Sequence, residues 1–259
     1  MNQAEKRIFL IKRLLDESGE LREGDIPAED HAQKRLLRSL MNLRRPQAID
    51  PAFVRVQDAY LQQELADKGV VCAADLKPFH GNLYLWQGDI TRLRCGAVVN
   101  AANSGMTGCY IPCHTCIDNC IHTYAGVQLR LDCARMMARQ GHEEPAGRAR
   151  ITKAYNLPCD YVLHTVGPIV EGAVTAQDEV LLASCYRSCL ELAEQYGIKS
   201  VAFCCISTGV FHFPNERAAE IALAAVRQYK AETGSEVKVI FNVFKDKDRT
   251  IYERLLSRT

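Results

Sequence analysis

Ala97-Val98-Val99-Asn100-Ala101-Ala102-Asn103-Ser104-Gly105-Met106-Thr107-Gly108-Cys109-Tyr110-Ile111-Pro112-Cys113-His114-Thr115-Cys116-Ile117-Asp118-Asn119-Cys120-Ile121-His122 begins as an apolar run and breaks into a polar, cysteine-rich segment. The run Ala97 to Val99 reads as a short buried strand, and in open α/β sheets ligands bind where such strands end. Cys109, Cys113, His114 and Cys116 then supply four soft or borderline metal ligands within eight residues, with a carboxylate close by at Asp118.

Outward from this stretch, the segments after His80 alternate. Residues 82–86, 97–100, 161–166, 200–206 and 237–243 read as strands. Residues 117–140 read as one or two helices, and 178–196, 214–230 and 247–256 as further helices, with Pro214 in a first turn. Such alternation implies a mostly parallel or mixed sheet flanked by helices. Residues 1–78 differ. Ile8, Leu10, Ile11, Leu14 and Leu15 recur at helical spacing, Gly19, Gly24 and Pro27 punctuate, and Leu36, Leu37, Leu40 and Leu43 resume the pattern. Pro46 and Pro51 break it again, and a third helix over 54–68 stops at Gly69. These helices carry no chemical cluster and predict an extension, 1–78, packed on a main domain, 79–259.

The chain has 259 residues and 47% apolar content, enough for one large core. Lys and Arg total 32 against 31 Asp and Glu, a formal net charge of +1, which gives no footprint for nucleic acid. No apolar run reaches the roughly 18 residues of a membrane span, and the N-terminal residues do not form an export signal. A cytoplasmic protein is the expectation. Without an export signal, the twelve cysteines are read as reduced thiols, with Cys95, Cys133, Cys185, Cys189, Cys204 and Cys205 expected in the core.

Two more stretches carry chemistry. Ser207-Thr208-Gly209-Val210-Phe211-His212-Phe213-Pro214 joins a strand to a helix, and such a turn can aim backbone N–H groups at a phosphate. Gln87-Gly88-Asp89-Ile90-Thr91 follows the first strand, with a carboxylate suited to an exocyclic amine or to capping a helix. For the metal ligands, spacing alone allows Cys113-x-x-Cys116 as the core of a structural site, with Cys109 and His114 completing four ligands. A redox role for Cys113-x-x-Cys116 is a further reading of the same spacing.

Taken in order, Gly88 to Thr91, Val99 to Asn103, Ile151 to Tyr155, His164 to Pro168 and Ile206 to Phe211 resemble the segments of the macrodomain family, over roughly residues 80 to 259. The insertion Gly108 to Asn119 is similar to that of the zinc-containing microbial macrodomains, which also have a helical N-terminal extension. The resemblance implies a three-layer α/β/α sandwich with a mixed central sheet. It implies an ADP-ribose site in which Asp89 and Ile90 hold the adenine, Ser207, Thr208, Gly209, Val210 and Phe211 wrap the diphosphate, and Asn103 binds the distal ribose. Asp118 falls at the catalytic position. The family pattern marks Cys109, His114 and Cys116 as ligands of a Zn2+ ion and leaves Cys113 variable. The implied activity is removal of ADP-ribose from mono-ADP-ribosylated protein, at Asp or Glu side chains, with a lipoyl-carrier protein as one candidate substrate. A non-enzymatic reader, or a hydrolase of small derivatives such as O-acetyl-ADP-ribose, are the alternatives.

Overall fold

The structure, a computed structural model, describes residues 1–19 and 26–257. Three helices come first: α1 (Gln3–Ser18), α2 (Asp30–Leu43) and α3 (Pro51–Lys68). Asn2 and Glu5 close a capping box at the start of α1, and Gly19 ends it in the left-handed conformation. Pro51, expected as a break, instead sits in the first turn of α3, where its missing N–H has no helical partner to lose, and Asp50 caps that turn. Gly24 lies outside the described residues.

The remaining elements are β1 (Val71–Cys72), β2 (Leu83–Gln87), β3 (Leu93–Arg94), β4 (Ala97–Ala101), α4 (Ile117–Ala125), α5 (Val127–Gln140), β5 (Ala149–Lys153), β6 (Tyr161–Thr165), α6 (Ala176–Gln195), β7 (Ser200–Phe203), α7 (Asn215–Thr233), β8 (Lys238–Val243) and α8 (Asp246–Leu256). Six strands form one sheet in the order β2-β8-β7-β4-β6-β5. All neighbours are parallel except β5, which runs antiparallel to β6 at one edge. The sheet is therefore mixed. The sequence reading contained no strand at β5, because Arg150, Thr152 and Lys153 give it neither an apolar run nor a clean alternation. Only pairing with β6 makes it a strand.

The inner strands are apolar on both faces, as strands covered by helices on either side must be. Val98 and Val99 in β4, Val201, Ala202 and Phe203 in β7, and Val239, Ile240 and Phe241 in β8 are all buried. Helices α4 and α5 pack on β4 and β5, while α6 packs on β5, β6 and β7 and α8 on β2 and β8. Tyr186 of α6 stacks on Phe203 of β7, and Phe241 of β8 on Tyr252 of α8. Gly126 divides the predicted helix over 117–140 into α4 and α5.

Helices α1 to α3 have their own apolar core around Leu10, Ile11, Leu14, Leu37, Phe53 and Tyr60. It meets the sheet domain through buried polar contacts. Gln57 accepts the Val127 N–H at 2.9 Å, and Arg130 of α5 donates to the carbonyls of Asn42 and Arg44 at 2.5 and 2.7 Å. All twelve cysteines are unbonded thiols; Cys133, Cys185, Cys189 and Cys204 are buried as expected, whereas Cys95 and Cys205 are only partly buried. No helix among the described residues is long and apolar enough to cross a membrane.

Candidate active site

The site lies at the C-terminal edge of β4. Cys116 caps α4, its Sγ accepting the Asn119 N–H at 3.4 Å, so a sulfur sits at a helix N-terminus where the macrodipole favours an anion. The ligand atoms of Cys109, His114 and Cys116 all lie within 4.8 Å of one another, with Cys109 Sγ 3.7 Å from His114 Nδ1. Those separations suit one ion making bonds of roughly 2.0–2.3 Å to imidazole and thiolate. Two thiols and an imidazole are a zinc-type donor set. Cys113 is turned away. Its thiol donates to the Arg35 carbonyl at 3.4 Å and lies 3.4 Å from Ser39 Oγ, both on α2. Burial pushes the Cys116 thiol up to about 12, the Asn119 N–H offsetting only part of this.

Asp118, two residues into the same helix, is held at both oxygens by the end of β4. Asn100 donates to Oδ1 at 2.8 Å and Asn103 to Oδ2 at 3.2 Å. Burial raises its pKa to about 6 against the lowering effect of those donors and of Arg130. The carboxylate is therefore mostly ionised at neutral pH yet a far better base than an exposed aspartate. His122 lies one turn on, its Nε2 3.6 Å from Asp118 Oδ1. Burial, then His164 and Arg130, holds His122 well below its usual range, so the ring is neutral. His164 of β6 is lowered to about 3 by burial and is enclosed by Asn100 at 3.2 Å and Thr152 at 2.8 Å.

Gly108 packs directly over the His122 ring. Its φ is +84°, and a Cβ there would meet His122 Cγ at 2.7 Å. Gly108→Ala is expected to destabilise the fold by about 1–3 kcal/mol, through the left-handed backbone and the displaced ring. A thermal melt checks this; an unchanged midpoint would show that the ring moves aside freely.

The other two stretches follow the ends of β7, which neighbours β4, and of β2, at the sheet edge beyond β8. In Ser207 to Phe213, Phe213 N–H donates to Ser207 O at 3.0 Å and His212 N–H to Gly209 O at 3.1 Å, curling the loop back on itself. Among the described residues no protein acceptor meets the N–H groups of Gly209, Val210 and Phe211. Ser207 has φ +63°, and its buried Oγ finds no partner among the described residues. Gly167, after β6, lets this serine approach, since a Cβ there would lie 2.1 Å from Ser207 Oγ. Asp89 caps the turn Ile90–Arg92, its Oδ1 accepting the Thr91 N–H at 3.0 Å and the Thr91 hydroxyl at 2.6 Å, while Ile90 is buried. Both readings of Asp89 remain compatible, because the cap engages only Oδ1.

The sequence matches the Macro domain family description over residues 99–222. It is 57% identical over 261 residues to a protein of Treponema medium named protein-ADP-ribose hydrolase, covering 99% of this chain and all of that one. A Staphylococcus aureus protein of the same name is 51% identical over 225 residues, covering 86% of this chain and 84% of the relative. The chain belongs to the macrodomain family. Among solved macrodomains, that of Trypanosoma brucei in complex with ADP-ribose superposes with a TM-score of 0.66 at 31% identity, covering 84% of this chain and 94% of that one. That of Oceanobacillus iheyensis with ADP gives 0.63 at 35%, covering 71% and 94%. The expected macrodomain sandwich, with a mixed sheet and N-terminal helices, is the observed fold.

The geometry of this macrodomain adds residues that sequence reasoning missed. Asn100 touches Asp118, and its signal in the sequence is a polar residue inside an otherwise apolar buried strand. Phe244, 73% exposed at the end of β8, has its carbonyl 3.3 Å from Gln87 Nε2, beside Gly88 and Asp89. Arg38, Asn42 and Arg130 gave no local signal at all, because their partners are far away in sequence.

Proposed function

We propose that this chain is a zinc-dependent hydrolase that releases ADP-ribose from mono-ADP-ribosylated protein, cleaving an Asp or Glu ester at the anomeric carbon of the distal ribose. One observation carries the reading. A buried carboxylate fixed by two asparagines stands two residues from the last of three soft ligands, at the strand edge where the phosphate-suited loop also lies. The relatives named protein-ADP-ribose hydrolase, similar over most or all of the chain, support it.

In this reading Asp89 Oδ2 accepts the adenine amine and Phe244 covers the ring. The N–H groups of Gly209, Val210 and Phe211, with Ser207 and Thr208, take the diphosphate without any net basic surface. Asn103 positions the distal ribose. Asp118 orients a water toward the linkage and takes its proton as the new C–O bond forms and the carboxylate leaves. Cys109, His114 and Cys116 would hold a zinc ion, which when bound would supply Lewis acidity. Anchoring the nucleotide end fixes the reacting end, so remote binding becomes geometry at the linkage.

The direct test is release of ADP-ribose from an Asp/Glu-modified protein by the purified chain, compared with its rate on O-acetyl-ADP-ribose. Faster release from the protein supports the reading. Binding without release would make the chain a reader, and preference for the small ester would make it a metabolite hydrolase. Phe244→Ala is expected to weaken ADP-ribose binding by about 1–3 kcal/mol, the worth of one base–aromatic stack. Ribose 5-phosphate, which has no base, should bind the variant and the parent alike in calorimetry; equal loss for both ligands would remove Phe244 from the adenine site.

A further inference from the structure

The Cys109 to Cys116 segment has little internal structure to hold its ligands. Its one backbone hydrogen bond within the segment among the described residues is His114 N–H to Ile111 O at 3.2 Å. Side chains meet four more of its backbone groups, the carbonyls of Cys109, Ile111 and His114 and the N–H of Cys113. Asn119 Nδ2 donates to the carbonyls of Cys109 and Ile111 at 3.4 and 3.0 Å, and Arg130 donates to Cys109 O at 3.3 Å. Two more contacts come from α2. Arg38 donates to the carbonyl of His114 at 2.7 Å and, through the same nitrogen, to Asn119 Oδ1 at 2.9 Å. Asn42, buried, accepts the Cys113 N–H at 2.9 Å and donates to Thr123 at 2.9 Å.

We propose that Arg38 and Asn42 are positioning residues for the metal cluster, so that the N-terminal extension completes the site and does not merely cover the sheet domain. The inference rests on the zinc reading above and assigns to the extension the task of presetting the ligand loop. Arg38 ties down the backbone of a ligand residue itself, and its grip on Asn119 Oδ1 turns the amide of that residue toward the Cys109 and Ile111 carbonyls. Asn42 holds Cys113 in the left-handed conformation, φ +55°, which a non-glycine residue adopts only where its surroundings over-determine it. That turn is what directs the Cys113 thiol toward α2 while His114 and Cys116, which follow it, face Cys109. Removing either contact frees the loop without touching a ligand. It also leaves Asp118 on its asparagines and the nucleotide end of the cleft as they are.

The test is zinc affinity of the full chain, measured by competition with a chromophoric chelator, for the parent, Arg38→Met, Asn42→Ala and Asn42→Asp. Partners that orient metal ligands typically contribute about 10–100-fold in affinity, and a weakening of that size is expected for R38M and N42A. Their melting temperatures in the metal-free state and their ADP-ribose affinities should stay near the parent values, while kcat falls with little change in KM. N42D keeps an oxygen for the Cys113 N–H and should recover zinc affinity to near the parent value. Equal zinc affinity across the parent, R38M and N42A overturns the inference while leaving the zinc reading intact. Joint loss of metal, ADP-ribose binding and melting temperature in R38M and N42A, with no recovery in N42D, overturns it too, by showing a general structural role. A parent chain that takes up no zinc overturns the zinc reading and the inference with it, an outcome distinct from the others because it is read on the unsubstituted protein.

Discussion

Asp118→Ala is expected to lower the turnover number for ADP-ribose release by about 10²–10⁴-fold, the usual worth of a positioned general base, with ADP-ribose affinity little changed. The affinity should largely persist because Asp89 and residues 207–211, assigned to the adenine and diphosphate, belong to other strand ends and do not touch Asp118, whereas Asn103, assigned to the distal ribose, does. The fold should persist as well. Burial already opposes ionisation of this carboxylate, raising its pKa to about 6, so the folded state gains little from the charge at neutral pH. What the variant loses is the acceptor for Asn100 Nδ2 and Asn103 Nδ2, and water can fill the vacated volume in a polar site. Alanine is the informative change. Asparagine would place a third amide donor against two others and confuse loss of a base with local repulsion. Single-turnover release and calorimetric ADP-ribose binding measured on the same preparation decide the matter. Turnover at the parent rate would remove Asp118 from the chemistry.

The second large effect concerns the metal. Chelation is expected to abolish release of ADP-ribose from modified protein and added zinc to restore it, with circular dichroism unchanged throughout. The ligand loop lies at the surface of an already complete core, so its metal should not be a condition of folding, unlike the metal of a small zinc finger. Cys109→Ser and Cys116→Ser should reproduce the chelated state and resist rescue. In the metal-free protein Cys116 is a thiol with its pKa pushed up to about 12, and metal uptake must displace that proton. Zinc affinity should accordingly fall as pH falls, since protons compete for the thiolates and the imidazole. Full turnover after chelation, with metal content verified as nil, would leave the Cys/His segment as a structural clasp and Asp118 as the centre of a metal-free hydrolase.

Much of this molecule was legible along the chain because its signals are local. The apolar runs at 97–99, 201–203 and 239–241 are continuous because both faces of an inner strand are covered, and the stop of α3 is written in Gly69 itself. The turns at 87–91 and 207–211 stand out because ligands gather at strand ends, which are visible where apolar runs stop, whereas the expectations for Asn103 and Asp118 come from the family resemblance. Type and spacing name Cys109, Cys113, His114 and Cys116 together, and the family resemblance sets Cys113 apart; in the structure the Cys113 thiol faces α2 while the ligand atoms of the other three converge. The edge strand β5 was not legible, since its residues are half exposed and its identity comes from β6.

From sequence alone came the alternation of strands and helices, the amphipathic N-terminal helices and the inventory of chemical groups, because each depends on side-chain type at short separation. Tertiary structure alone decided which groups meet. The β4–β6 register sets Asn100 beside His164, and the packing of α4 on β4 brings Asp118 to Asn100. The contact of α2 with the ligand loop turns Cys113 away from its neighbours, across a separation of 71 residues between Asn42 and Cys113. No pattern along a chain carries that information, because hydrogen bonds between distant segments exist only once the apolar surfaces between those segments have been buried together.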